Sequence, residues 1–184
     1  MIAIKKILVP TDLSDESLPA IGYAASLAKE HTAEIILVHT LPAKALNLSS
    51  DAYLSGGIGA EGVAPIPTAR RPVVENLFES RKQLLRNFLQ QKIAPDLLRG
   101  IQITPLVRLG KLVEEIVSAA NETQADIIVT TSQKPPFWHM FGGSFIERMI
   151  HKAPCPVLTI LPSAEIRTDK DERVPIRLMD RWAA

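Results

Sequence analysis

Five short apolar runs do most to limit what this chain can fold into. They are residues 5–11 (KKILVPT), 33–41 (AEIILVHTL), 101–108 (IQITPLVR), 125–131 (ADIIVTT) and 156–161 (PVLTIL). Each has the length of a strand and lacks the in-out alternation of a half-solvated one, so each reads as a strand buried on both faces. Between them lie stretches with helical spacing. Residues 17–31 carry Leu18, Ile21, Ala24, Ala25, Leu27 and Ala28 at helical intervals, after the helix-start residues Asp12, Ser14 and Asp15. Residues 72–92 form the clearest helix, with Val73, Val74, Leu77, Phe78, Leu84, Leu85, Phe88 and Leu89 as one inward stripe, and Pro95 ending the region. Residues 111–121 turn inward with Leu112, Ile116 and Val117 after Gly110, and residues 143–152 make the last helix. Buried strands alternating with amphipathic helices imply a parallel sheet with helices on both faces.

In such a sheet the ligand crevice lies beyond the carboxyl ends of the strands at the topological switch point. Here it gathers residues 10–12, 38–40 and 130–133 and the start of the last helix. That helix opens on Gly142, Gly143 and Ser144, whose free N–H groups and dipole suit an anion. The preceding loop does not suit one. Pro135 and Pro136 supply no N–H, and Phe137, Trp138 and Phe141 are bulky.

The rest of the chain adds limits. With 184 residues and 46% hydrophobic content it can bury one proper core. A formal charge of +1 gives no general pull toward nucleic acid or acidic lipid. The five acids and five bases of residues 164–184 cancel. No segment approaches the ~18 apolar residues of a membrane helix, and the first residues do not read as a signal peptide. Cys155 is the single cysteine, so no intrachain disulfide forms, and a cytoplasmic setting is the expectation. Residues 42–69, rich in Ala, Gly, Ser and Pro, read as a long surface excursion and not as a dinucleotide fingerprint.

The two ends of the chain carry a family resemblance. KKILVPTDLSDESLPAIGYAASLAKEHTAEIILVHTL at residues 5–41, with ADIIVTTS at 125–132 and GGSFIERMIHKAPCPVLTI at 142–160, resembles a single universal stress protein domain. The resemblance covers about residues 4–161. It implies a Rossmann-like five-stranded parallel sheet of order 3-2-1-4-5, related to the adenine-nucleotide α-hydrolase fold. It also implies a homodimer through the last strand, which makes Val157, Leu158 and Ile160 partner-contact candidates. The domain is expected over residues 1–162, with a charged tail over 163–184.

Many members of that family bind ATP, with Mg²⁺, through G-x2-G-x9-G-[S/T] after the fourth strand. Carried over by position, Gly143 and Ser144 match its end, while Thr130 and Gln133 stand where the first two glycines belong. Pro10, Asp12 and Val38 match the positions that meet the nucleoside. Glycine at such places allows φ > 0 and close approach of backbone to phosphate, which Thr130 and Gln133 do not. The expected function is therefore a non-catalytic dimeric stress-response module acting through an unidentified protein partner, with no cofactor required and ATP binding weakened or lost. The alternative is a nucleotide-binding sensor that uses Asp12, Gly143 and Ser144.

Individual residues keep two readings. Asp12 serves to hold a ribose hydroxyl or to cap the first helix. Ser144 binds phosphate or forms a capping box with Glu147. The run from Phe137 through Trp138 to Phe141 contacts a partner or folds back into the crevice. Cys155 reads as packing, and neither His39 nor His151 has metal-ligand spacing with a second ligand. No nucleophile–base pair is readable, so an enzyme is not expected, although weak ATP hydrolysis stays open.

Overall fold

The computed structural model describes residues 3–42, 71–132, 145–161, 165–167 and 173–175. The expectations for the 42–69 excursion, for Gln133, Gly143 and Ser144, for the run from Phe137 through Trp138 to Phe141, and for most of the tail lie outside them. The strands are β1 (Lys6–Pro10), β2 (Glu34–Leu41), β3 (Ile103–Leu109), β4 (Ile127–Thr131) and β5 (Val157–Ile160). They form one parallel sheet in the order β3-β2-β1-β4-β5. The helices are α1 (Leu18–His31), α2 (Arg71–Lys92), α3 (Pro95–Leu98), α4 (Leu112–Thr123) and α5 (Phe145–Lys152).

Strand pleat divides the core in two. Ile7, Val9, Ile35, Leu37, Leu41, Val107 and Val129 face α1 and α2 on one side. Leu8, Ile36, Val38 and Ile128 face α4 and α5 on the other. β1 is buried across its three central residues and β2 almost throughout, as non-alternating apolar runs require.

α1 and α4 both end without glycine. Thr32 and Gln124 take left-handed φ values of 53° and 54°. In each case the next N–H reaches back to close the turn, Ala33 to the Ala28 carbonyl and Ala125 to the Ala120 carbonyl, both at 2.9 Å. Buried Ala33 and Ala125 then lead directly into β2 and β4.

Three expected inward residues face solvent. Val73 is 60% exposed, Leu84 44% and Leu112 49%. On α2 the arc that meets the sheet carries Val74, Leu85, Phe88 and Leu89. Val73 and Leu84 lie eleven positions apart, which at 3.6 residues per turn puts them together beside that arc. On α4 the core face starts one residue after Leu112, at Val113, and continues through Ile116, Ala119 and Ala120. Pro95 does not simply end its region. It opens the four-residue α3, the helix position that needs no N–H. Two pieces of the tail, Glu165–Arg167 and Arg173–Pro175, pair as an antiparallel ribbon, β6 and β7. Among the described residues no helix is long and apolar enough to cross a membrane.

Candidate nucleotide crevice

β1 sits between β2 and β4, so the chain reverses its direction of strand addition there and leaves a crevice beyond their carboxyl ends. Pro10 and Val38 are register partners. Val38, on the α4/α5 side, is buried. Thr130, two residues beyond Ile128 on β4, has a buried side chain and pairs in register with Thr159. Three of the residues singled out from sequence thus converge at the floor of one crevice.

Asp12 stands at its lip, exposed. Its Oδ1 accepts from the Ser14 N–H at 3.0 Å and from Ser14 Oγ at 2.5 Å, an Asx turn. The N-cap of α1 is Ser17, so Asp12 orders the turn ahead of the helix and does not cap it.

The turn is built on a hydroxyl relay that sequence reading missed. Ser17 Oγ donates to the Ser14 carbonyl at 2.7 Å. That leaves Thr11 Oγ1 to donate to Ser17 Oγ at 2.8 Å while accepting the Leu13 N–H at 3.0 Å. Each oxygen has one proton to give, so only this direction satisfies all three bonds. Thr11 is also held through its backbone. Its N–H donates to the Val38 carbonyl at 2.8 Å, and its carbonyl accepts from His39 Nδ1 at 2.9 Å. A carbonyl can only accept, so the His39 proton sits on Nδ1. The relay holds Leu13 in the left-handed region at φ 67°, a conformation unusual for leucine. The sequence signal was a Thr-x-x-Ser-x-x-Ser spacing after a buried strand, with a histidine inside the neighbouring strand.

Next to Val38 the α4 side of the sheet turns polar. Thr40 and Arg108 are register neighbours on β2 and β3. The guanidinium of Arg108 pairs with Glu122, which also accepts from Ser118 Oγ at 2.8 Å. Glu115, half-buried, lies against the Gly110 backbone, where an added Cβ would come within 2.4 Å of its carboxylate. Burial pushes the Glu115 pKa up; Arg108 partly offsets this, and the charges of Glu122 and Glu114 add to it. For Glu114 burial also works against the charge. The Lys152 hydrogen bond at 3.0 Å, its own backbone and the charges of Lys152 and Arg148 outweigh that burial and hold it below the usual range. Glu114 thereby ties α4 to α5.

These two neighbours therefore respond to pH with opposite signs. A raised folded pKa means ionised Glu115 costs stability at neutral pH, and the cost fades as pH falls through that pKa. A lowered folded pKa means Glu114 contributes at neutral pH and loses its contribution in the acidic range. We expect Glu115→Gln to raise the unfolding free energy from urea titration at pH 7 and Glu114→Gln to lower it, each by less than about 1 kcal/mol. Both differences should shrink at pH 4; equal effects at the two pH values would contradict the assignment.

Cys155 is half-buried, and burial, then the nearby Asp126 charge, pushes its thiol pKa up, away from reactive thiolate character. His151 lies in the last turn of α5. Among the described residues no cluster of three or more His, Cys, Asp or Glu side chains could hold a metal. Val157 and Leu158 on β5 are half-exposed, while Ile160 is buried in its own core, so its side chain is not available to an interface there.

Comparison with known proteins agrees with this architecture. The model of the universal stress protein family matches residues 3–160. Universal stress protein MJ0531 of Methanocaldococcus jannaschii is 32% identical over 157 residues, covering 85% of this chain and 81% of that protein. Among solved structures, that of MJ0577 superposes with a TM-score of 0.59 at 24% identity, covering 87% of this chain and 97% of that one. A universal stress protein solved in complex with cAMP gives 0.53 at 18% identity, covering 88% and 100%. The sheet order, the crevice and the family match lead to one conclusion: this chain belongs to the universal stress protein family.

Proposed function

We propose that this chain is a non-catalytic universal stress protein module that acts through protein partners, with ATP binding in the usual family mode weakened or lost. The observation that carries the reading is Thr130. The first glycine of the phosphate-binding pattern corresponds to this residue. Its side chain is 3% exposed and its backbone is committed to the ladder between β4 and β5. A β-branched residue in an extended, paired strand does not supply the backbone conformation that a phosphate loop takes from glycine. Protein purified without added nucleotide and then denatured should release far less than one adenine nucleotide per chain on anion-exchange chromatography. Stoichiometric ATP in the supernatant would sink the reading.

A second reading, a nucleotide sensor, is favoured by a specific observation. Pro10 and Val38 meet in register and Asp12 stands above them. The relative solved with cAMP makes cyclic and linear adenine nucleotides the ligands to test.

The module is proposed to be a homodimer through the β5 edge. The Ser132 N–H donates to the Ile160 carbonyl and the Ile128 N–H to the Pro156 carbonyl, so Pro156, Leu158 and Ile160 bond toward β4. The backbone groups of Val157, Thr159 and Leu161 then point outward. Leu161 is 62% exposed and Ile150, on α5, is 58% exposed, apolar surface beside that edge. Leu161→Glu should weaken self-association at least about tenfold in light-scattering titrations. An unchanged mass at all concentrations would place the interface elsewhere.

A further inference from the structure

A second concavity lies away from the crevice. Val38 faces α4 and α5, whereas Ile103 packs on the core that faces α1 and α2. On that opposite face, the end of α2, the short α3 and the first residues of β3 enclose an open cavity of about 410 Å³. Sites for small molecules have this size.

The lining is apolar apart from two side chains. Half-buried Leu98, Ile103 and Pro105 form the walls, and Leu89 and Ile93, 8% and 1% exposed, close the floor. The two polar side chains are Arg86 and Gln90, both exposed. They stand four positions apart on α2 and so lie side by side along one flank of the helix. Arg86 is the only charged residue of the lining. Neither side chain forms a hydrogen bond or an ion pair among the described residues. The acids nearest in sequence are committed elsewhere. Glu79, about two turns before Arg86, pairs with Lys82 at 2.6 Å, and Asp96, next to Pro95 of the lining, pairs with Arg99 at 2.9 Å.

The walls are fixed by the chain's own bonds. The Leu97 N–H donates to the Ala94 carbonyl at 3.0 Å and the Ile101 N–H to the Leu98 carbonyl at 3.1 Å. Lys29 Nζ donates to the Asp96 carbonyl at 2.7 Å and fastens α3 to α1.

From this arrangement we propose that the cavity binds an amphipathic monocarboxylate, an apolar chain or ring bearing a single carboxylate. The apolar body displaces water from Leu98, Ile103 and Pro105. The carboxylate stays at the rim and accepts from the Arg86 guanidinium and the Gln90 amide. A polyphosphate does not suit the site, because one cation faces it and Pro95 and Pro105 bring no N–H. A cationic ligand meets Arg86, and a neutral apolar one leaves both donors unused. The inference goes beyond the crevice and holds whether or not ATP binds there.

The test titrates octanoate and 3-phenylpropanoate into the isotope-labelled full-length chain. At least one acid should shift the amide resonances of Gln90, Leu98 and Ile103 saturably, with a dissociation constant on the order of 0.1–1 mM for a ligand of this size. Its binding should also raise Tm. 1-Octanol, which lacks the charge, should bind about fivefold more weakly or worse. Acetate, which lacks the apolar body, should leave these amides unmoved at ~10 mM. Arg86→Met keeps an apolar stem at an exposed helix position. It should weaken the acid about tenfold and leave 1-octanol unchanged. The proposal is overturned by the absence of saturable shifts below about 10 mM, by equal binding of 1-octanol, or by acids indifferent to Arg86→Met. Shifts confined to Val38 and Thr130 would put the acid in the crevice and overturn it equally. None of these failures bears on the partner-mediated reading, which no amide of this cavity reports.

Discussion

Met149→Ala is expected to destabilise the protein by about 3 kcal/mol and to loosen α5 selectively. Met149 is the one fully buried side chain of that eight-residue helix, and it packs into the cluster formed with Leu8, Ile36, Val113 and Ile116. Eight residues are too few for a helix to persist alone in water, so α5 exists by virtue of its docking. Phe145 packs against the same cluster, and Glu114 adds pairs to Lys152 and, at 3.7 Å, to Arg148, side chains one-third to one-half exposed. Such pairs are worth little individually. Truncating Met149 removes both the buried area and the anchor. Urea denaturation gives the global loss, and amide exchange should show α5 opening before the central strands. A loss under about 1 kcal/mol, with α5 amides unchanged, would mean that the ion pairs or other contacts hold the helix.

Thr11→Val should cost about 2–3 kcal/mol, although it preserves shape and adds apolar surface. The substitution deletes the central hydroxyl of the relay, leaving the Leu13 N–H without its acceptor and Ser17 Oγ without its donor in a site where Thr11 and Ser17 are 7% and 2% exposed. Each buried group left unmade costs on the order of 1–3 kcal/mol, and the gained methyl offsets part of this. Leu13 then has less reason to stay at positive φ, and the turn that carries Asp12 relaxes. Thr11→Ser, which keeps the hydroxyl, should recover most of the loss. Denaturation midpoints of the three proteins check this; if the serine variant is as weak as the valine one, the methyl group and not the relay stabilises the turn.

The fold was legible wherever burial was continuous. Residues 5–11 and 33–41 announce β1 and β2 because strands covered on both faces cannot tolerate alternation, and the structure pairs them residue for residue. Helix orientation was less legible. Val73, Leu84 and Leu112 are apolar and helical, but the sheet receives only a narrow arc of each helix, and propensity does not say which flank is left over. The helix ends at Thr32 and Gln124 carry no glycine to mark them, since backbone closure by Ala33 and Ala125 suffices. The β6–β7 ribbon lay hidden in a charged stretch without a period. At the site, Pro10 and Val38 were readable because they follow apolar runs. The Thr11–Ser17–His39 network was not, because it depends on which hydroxyl faces which carbonyl, a matter of tertiary register.

The crevice is proposed not to grip the phosphates of ATP. Calorimetric titration of ATP and ADP, with Mg²⁺, into nucleotide-stripped protein tests it most directly, with thermal unfolding in the same buffers as the linked readout. No binding heat and no rise in Tm are expected up to millimolar ATP. Micromolar dissociation constants would contradict it and make the chain a nucleotide sensor despite Thr130 and Gln133.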